Sequence, residues 1–167
     1  MKYLGGLMIG AVVAAAVYAG LTYKKRTDSS GTEPVLRLPN PFVPVTPEAF
    51  SEQLGFSADA PKGSEYVSYS VLSGSIAHID FHYAQYRFTL RVTRSSEDVS
   101  GLYGQVLTPE TVDAERNAVL ESVLTGGISR RLTWQMNGLF YTLINKDGAE
   151  AALMRRVYHE ICLFQKD

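Results

Sequence analysis

The sequence predicts an α+β domain, an antiparallel meander of about six strands flanked by a short N-terminal helix and a C-terminal helix, with one transmembrane helix ahead of it. Three observations carry that expectation. Apolar and polar residues alternate across residues 67–93 and again across 128–145, the period of strands buried on one face. Capping residues and helical apolar spacing mark one helix before these runs and one after them. Finally, Tyr3 to Tyr23 carries no charged residue and stops at Lys24-Lys25-Arg26. As a helix rising about 1.5 Å per residue it reaches roughly 30 Å, the thickness of a bilayer's hydrocarbon core.

Two readings of that first segment stay open. Val17-Tyr18-Ala19 before Gly20 offers the small residue a signal peptidase requires, after a basic Met1-Lys2 start. The apolar run nevertheless continues through Leu21 to the basic cluster, and Tyr3 and Tyr23 sit where interfacial aromatics sit, which favours a retained anchor. Gly6 and Gly10 form a small-residue face on which a second helix can pack. Residues 1–26 are therefore read as anchor and basic stop. Residues 27–39 follow as a polar, proline-bearing stalk, and 40–167 as one domain with one core. The stop cluster slightly outweighs Lys2 and the amino terminus, and by the positive-inside rule this bias places the domain in the cytoplasm.

Within the domain, Phe42, Val43 and Val45 are expected to dock on the core while Pro41 and Pro44 prevent regular helix. A helix follows, with Thr46 as N-cap, Pro47 at its first position, Glu48 in its first turn and Gly55 ending it. A three-residue loop, Ser73-Gly74-Ser75, keeps Val67, Tyr69 and Val71 on the face shared by Ala77, Ile79, Phe81 and Tyr83. A two-residue loop at Ala84-Gln85 then pairs Tyr83 with Tyr86, Phe81 with Phe88, Ile79 with Leu90 and Ala77 with Val92. Asn137-Gly138 closes a second hairpin, setting Met136 against Leu139, Trp134 against Tyr141 and Leu132 against Leu143. Residues 118–124 read as a strand, although 112–124 also reads as a helix. The last helix spans about 148–163 and lays Leu153, Val157, Ile161 and Phe164 across the sheet.

A formal net charge of −1 leaves no basic field of the kind nucleic acid requires, so nucleic acid is excluded as a partner. The single cysteine, Cys162, forms no internal disulfide and lies far from the amino-terminal segment, which excludes a lipid-bearing cysteine there. No phosphate-binding glycine motif, nucleophile elbow or cofactor motif is present. The one chemical constellation is His78-x-Asp80-x-His82, three side chains about 7 Å apart on one strand face. Arg91, Thr89 and Arg87 stand opposite them, so the strip suits a small anionic ligand better than a metal. Glu97, Asp98 and Ser100 offer oxygens in a loop, too few for a calcium site, and Asp98 is expected to cap a local turn. Phe140 and Ile144 fall on the face opposite Trp134 and form a second apolar patch, to be covered by a partner or by the Arg130 and Arg131 stems. The ten tyrosines, several on the sheet, suit recognition of a partner.

Asn40-Pro41-Phe42-Val43-Pro44-Val45, Leu54-Gly55-Phe56, Ala77-His78-Ile79-Asp80-Phe81, Thr89-Leu90-Arg91 and Glu97 to Tyr103 together carry a likeness. With the Trp134 to Leu143 hairpin and the final helix, the chain over residues 40–164 resembles an uncharacterised group of bacterial extracytoplasmic domains of unknown function. Members are commonly lipoproteins or singly anchored proteins, so the resemblance implies an exported domain, against the charge bias. It implies no activity and no catalytic residue. The chain departs from the group in having Ala84-Gln85 where relatives often carry an Asp-Gly turn. The functional expectation is a membrane-anchored extracytoplasmic domain that binds or senses an envelope protein or small anionic ligand without catalysis, His78, Asp80, His82, Arg87 and Arg91 being the candidate ligand contacts. Two alternatives are an envelope metal-dependent hydrolase using His78, Asp80 and His82, and a cytoplasmic membrane-tethered adaptor.

Overall fold

The computed structural model describes residues 41–124 and 126–164. The expected membrane segment and stalk lie outside these residues, and among the described ones no helix is long and apolar enough to cross a membrane.

The first helix, α1 (Pro47–Leu54), forms where its caps dictate. The Thr46 hydroxyl accepts the Ala49 N–H at 3.3 Å, and Gly55, at φ 68°, ends the helix by donating its N–H to the Ser51 carbonyl. Phe50 and Leu54, one turn apart, are its buried residues.

The hairpins have the registers that side-chain parity dictates. Strands β2 (Glu65–Leu72), β3 (Ile76–Tyr83) and β4 (Tyr86–Thr93) run antiparallel, with Leu72 opposite Ile76 across the three-residue loop and Tyr83 opposite Tyr86 across the two-residue one. The other hairpin joins β8 (Ile128–Met136) to β9 (Leu139–Asn145) through Asn137 and Gly138, at φ 53° and 73°. Both left-handed angles are what a two-residue turn needs to match strand twist.

The architecture is α+β, but the sheet is larger than a six-strand meander. The described residues form nine strands in the order β1-β2-β3-β4-β9-β8-β7-β5, where β1 is Phe42–Pro44, β5 Gln105–Val106 and β7 Ala118–Leu124. Strand β6 (Glu110–Asp113) also pairs with β7. The added strands are short edge segments of two to four residues. β1 contains Pro44, which the ladder tolerates at an edge because a missing donor there breaks no central bond. Val43 is half exposed on this edge instead of docked, whereas Val45 packs against the core. The helical alternative for 112–124 is corrected by Asp113. Its carboxylate takes the N–H groups of Glu115 and Arg116 at 3.0 and 3.3 Å, folding a turn that separates β6 from β7.

Because β4 lies beside β9, the chain after β4 must cross the sheet to reach β5 on the far side of β7. Residues 94–104 make this crossing on the face opposite the helices. There Ile144, Thr142, Val123 and Ser129 are buried without belonging to the main core. The apolar patch expected at Ile144 is thus covered by the chain itself and by Arg131, which stands opposite Ile144. Phe140 remains half buried.

The main core lies on the other face. It holds Val71, Ile79, Phe81, Phe88, Leu90, Leu132, Trp134 and Leu143, with Phe81 and Phe88 stacked at 5.6 Å. Each such side chain contributes about 1.5–3 kcal/mol by burial. Helix α1 packs on β2 and β3, and α2 (Ala151–Phe164) on β8 and β9. The buried stripe of α2 is Met154, Val157, Tyr158, Ile161 and Cys162, whereas Leu153 is half buried and Phe164 is 52% exposed. Val157 and Ile161 belong to both series, and the buried face is turned about the helix axis toward Met154, Tyr158 and Cys162, away from the side of Leu153 and Phe164. Asn145, fully buried at the end of β9, links sheet to helix. Its amide donates to the Arg87 carbonyl at 3.0 Å and accepts the Ala149 N–H at 2.7 Å.

Candidate functional site

The His78–Arg91 strip is assembled by register alone: His78 faces Arg91, Asp80 faces Thr89 and His82 faces Arg87 across β3 and β4. Side-chain bonds then join most of it. Arg91 Nε donates to His78 Nδ1 at 3.1 Å, which leaves Nε2 to donate to Asp80 Oδ2, also at 3.1 Å. The Thr89 hydroxyl donates to Asp80 Oδ1 at 2.5 Å. These contacts, the His78 bond foremost, hold the Asp80 carboxyl below the usual range against the opposing push of burial, and the Arg87 charge adds to them. Burial pulls the Arg91 guanidinium down, while the charges of Asp80 and Asp98 support it.

Arg91 also reaches into the crossing segment, where its Nη1 donates to the Val99 carbonyl. The Phe42 ring stands edge-on to His78 at 4.8 Å. His78, 7% exposed, is therefore enclosed between β1 and its polar partners. His82 and Arg87 stand apart from this network. The His82 ring meets Tyr66 edge-on at 5.3 Å, and neither the His82 nor the Arg87 side chain makes a hydrogen bond to the described residues. Among those residues no three His, Cys, Asp or Glu side chains converge as a metal would require. The three-ligand arrangement that a metal-dependent hydrolase needs is thus not gathered here.

The loop acids have structural partners. Asp98 Oδ1 accepts the Ser100 N–H at 2.8 Å, closing the expected turn, and Oδ2 pairs with Arg131 Nη1 at 2.5 Å. Burial raises the Asp98 pKa, but Ser100 and Arg131 together bring it below the usual range. Arg131 Nε meets Glu121 at 2.5 Å and its Nη1 meets Ser100 Oγ at 3.2 Å. One guanidinium thereby ties β8, β7 and the crossing segment together.

Cys162 and His159 do not form a catalytic pair, for Cys162 is buried among core residues and His159 is exposed. Tyr158 donates to Asp113 at 2.9 Å, and Asp113 pairs with Arg116 at 2.6 Å, pinning α2 to the β6–β7 turn. The Tyr158 and Arg116 bonds hold the Asp113 carboxyl below the usual range.

A second candidate site lies on the helix side, where no linear pattern pointed. A cleft of about 540 Å³ opens between α1 and the end of α2. Phe50, Phe56, Tyr69, Tyr141 and Phe164 line it, and Asp59 is the one charged side chain among its described lining residues. Asp59 Oδ1 accepts both the Tyr69 hydroxyl and the Ala60 N–H, the latter at 2.7 Å. Burial first, then Asp59, pushes the Tyr69 phenol well above its ordinary value, so it stays a neutral donor. Tyr141 is pushed up to about 12, chiefly by burial. It stacks on Trp134 at 5.0 Å, and Tyr69 meets Phe50 edge-on at 5.5 Å.

Neither a protein-family model nor a curated protein nor a solved structure matches this chain, so the reading of both sites rests on its own residues.

Proposed function

We propose that this protein is a non-enzymatic binding domain, anchored through Tyr3 to Tyr23 in a membrane with its folded part outside the cytoplasm, and that the cleft between the helices is where it binds. The observation that carries the binding reading is the contrast between the two faces. On the strip face, His78, Asp80, Thr89 and Arg91 satisfy one another, so a ligand must displace a bond already made. On the helix side, a cleft within the usual size range of ligand sites is apolar with a few fixed polar atoms. The uncharged run and its basic stop support the membrane anchor, and the sequence resemblance supports the outward orientation, against the charge bias of the stop.

Two measurements test the proposal. Protease shaving of intact cells carrying a tag after Asp167, with the mature mass read in parallel, should remove the tag and return a chain that keeps Met1 to Ala19. A protected tag would place the domain inside, as a tethered adaptor. A fragment screen on the full chain, followed by amide chemical shifts, should show perturbations gathered at residues 56–59 and 139–141. One observation favours a second, weaker site: His82 and Arg87 face each other with no side-chain hydrogen bond to the described residues. Phosphate titration should then shift the His82 ring and leave His78 unmoved.

A further inference from the structure

We propose that the cleft takes a small organic cation, an alkylated ammonium group on a compact apolar body; this deepens the binding reading above and rests on it. The argument begins with Asp59. A carboxylate set among aromatic rings is costly unless it is hydrogen-bonded and its charge is met. Asp59 is partly exposed and neither of its oxygens is buried without a partner, so its charge is open to solvent, and an occupant that excludes that solvent has to meet the charge itself. Oδ1 is saturated by Tyr69 and Ala60, which fixes the carboxylate's orientation, whereas Oδ2 accepts no hydrogen bond from the described residues. No lysine, arginine or histidine stands among the described residues lining the cleft.

The remaining walls favour the same charge. Aromatic faces attract cations through their quadrupoles, most strongly where water is excluded. Of the five aromatic residues lining the cleft, Phe56, Tyr69 and Phe164 keep ring surface exposed, while Phe50 and Tyr141 are buried beneath them. The chain already uses one of them this way, for the Arg94 guanidinium lies 5.6 Å from the Phe56 centroid. Arg94 is held by the Gly55 carbonyl at 2.9 Å and is not among the residues lining the cleft. An anion would face Asp59 at close range, and a neutral apolar molecule would dry the carboxylate without pairing it. One carboxylate with a phenol is too small a donor set for a metal. A volume of about 540 Å³ accommodates a molecule of modest size.

Trp134, the chain's single tryptophan, stacks on Tyr141 at 5.0 Å and so reports on the cleft by its fluorescence. Full-length protein in a non-ionic maltoside detergent, with empty micelles as the blank, is titrated with benzyltrimethylammonium, benzyl alcohol and benzoate. Saturable binding of the cation is expected, at least tenfold tighter than that of the alcohol, with benzoate not binding. Asp59→Asn keeps an acceptor for Tyr69 and Ala60 and should weaken the cation at least tenfold while leaving the alcohol unchanged. Phe164→Ala, at an exposed position where folding is not at stake, should weaken the cation about two- to fivefold.

Equal binding of all three probes, unaltered by Asp59→Asn, overturns the cation assignment and leaves the cleft as a binding site. No change at Trp134 with any probe overturns both readings. Tighter binding of phosphatidylcholine vesicles or of a lysyl peptide than of the small cation overturns the small-molecule assignment in favour of a lipid headgroup or a partner's side chain.

Discussion

Replacing Ala84 with asparagine and Gln85 with glycine should stabilise the domain, because the turn between β3 and β4 holds two unsuitable residues in left-handed backbone. Ala84 sits at φ 46° and Gln85 at φ 65°, a region a side chain occupies at a cost of about 1–2 kcal/mol. The equivalent turn between β8 and β9 meets the same demand with Asn137 and Gly138. Asparagine tolerates the region through local hydrogen bonds, so Ala84→Asn recovers about 0.5–1 kcal/mol. Gln85→Gly recovers about 1–2 kcal/mol and returns about 0.5–1 through glycine's greater freedom in the unfolded chain. Both side chains are exposed, so no packing is lost. The net gain is about 1–2 kcal/mol, which for a domain of this size raises the midpoint by roughly 3–8 °C. Circular dichroism melts of the double variant, with urea titrations to confirm an unchanged m-value, measure it. A variant melting at or below the parent temperature would refute the reasoning.

Three further outcomes are expected. Asn145→Ala removes the partner of the buried Ala149 N–H and of the part-buried Arg87 carbonyl and should cost about 2–4 kcal/mol in urea unfolding. Arg131→Met removes the tie among Asp98, Glu121 and Ser100. It should cost about 1–3 kcal/mol and speed hydrogen exchange selectively in residues 94–104. The folded pKa values of Asp80 and Asp98 are depressed. Their stabilisation is present above the unfolded value of about 4 and is lost as pH falls through the folded values. Urea midpoints measured from pH 6 downward should therefore fall below about pH 4, and Asp80→Asn should flatten that fall.

What was legible in the sequence was what neighbouring residues decide. Register in both hairpins follows from side-chain parity and turn length, and the bounds of α1 from Thr46, Pro47 and Gly55. The crossing segment was not legible, because its path depends on β4 choosing β9 as a neighbour, some fifty residues away. On α2 the apolar spacing fits two overlapping faces, one bearing Leu153 and Phe164 and the other Met154 and Tyr158, and the position of the sheet, which the local sequence does not carry, selects the second. At the strip, which residues face one another was readable. That Arg91 would spend its charge on His78 and the Val99 carbonyl was not, since Val99 reaches it from the crossing segment. The cleft left no linear trace: its lining comes from α1, the loop after it, β2, the tip of the second hairpin and the last turn of α2.

The pairing of β4 with β9 also sets an order of events during synthesis. β2, β3 and β4 are complete when Thr93 has been made, but the partner of β4 is finished only at Asn145. For that interval the nascent chain presents an open strand edge, the kind of surface on which unfinished chains aggregate. Phe88 and Leu90 on that strand alternate with Arg87 and Arg91, and charges so placed discourage a stray strand from pairing. The two arginines of the candidate strip thus have a second employment, guarding a half-made sheet until its own strand arrives.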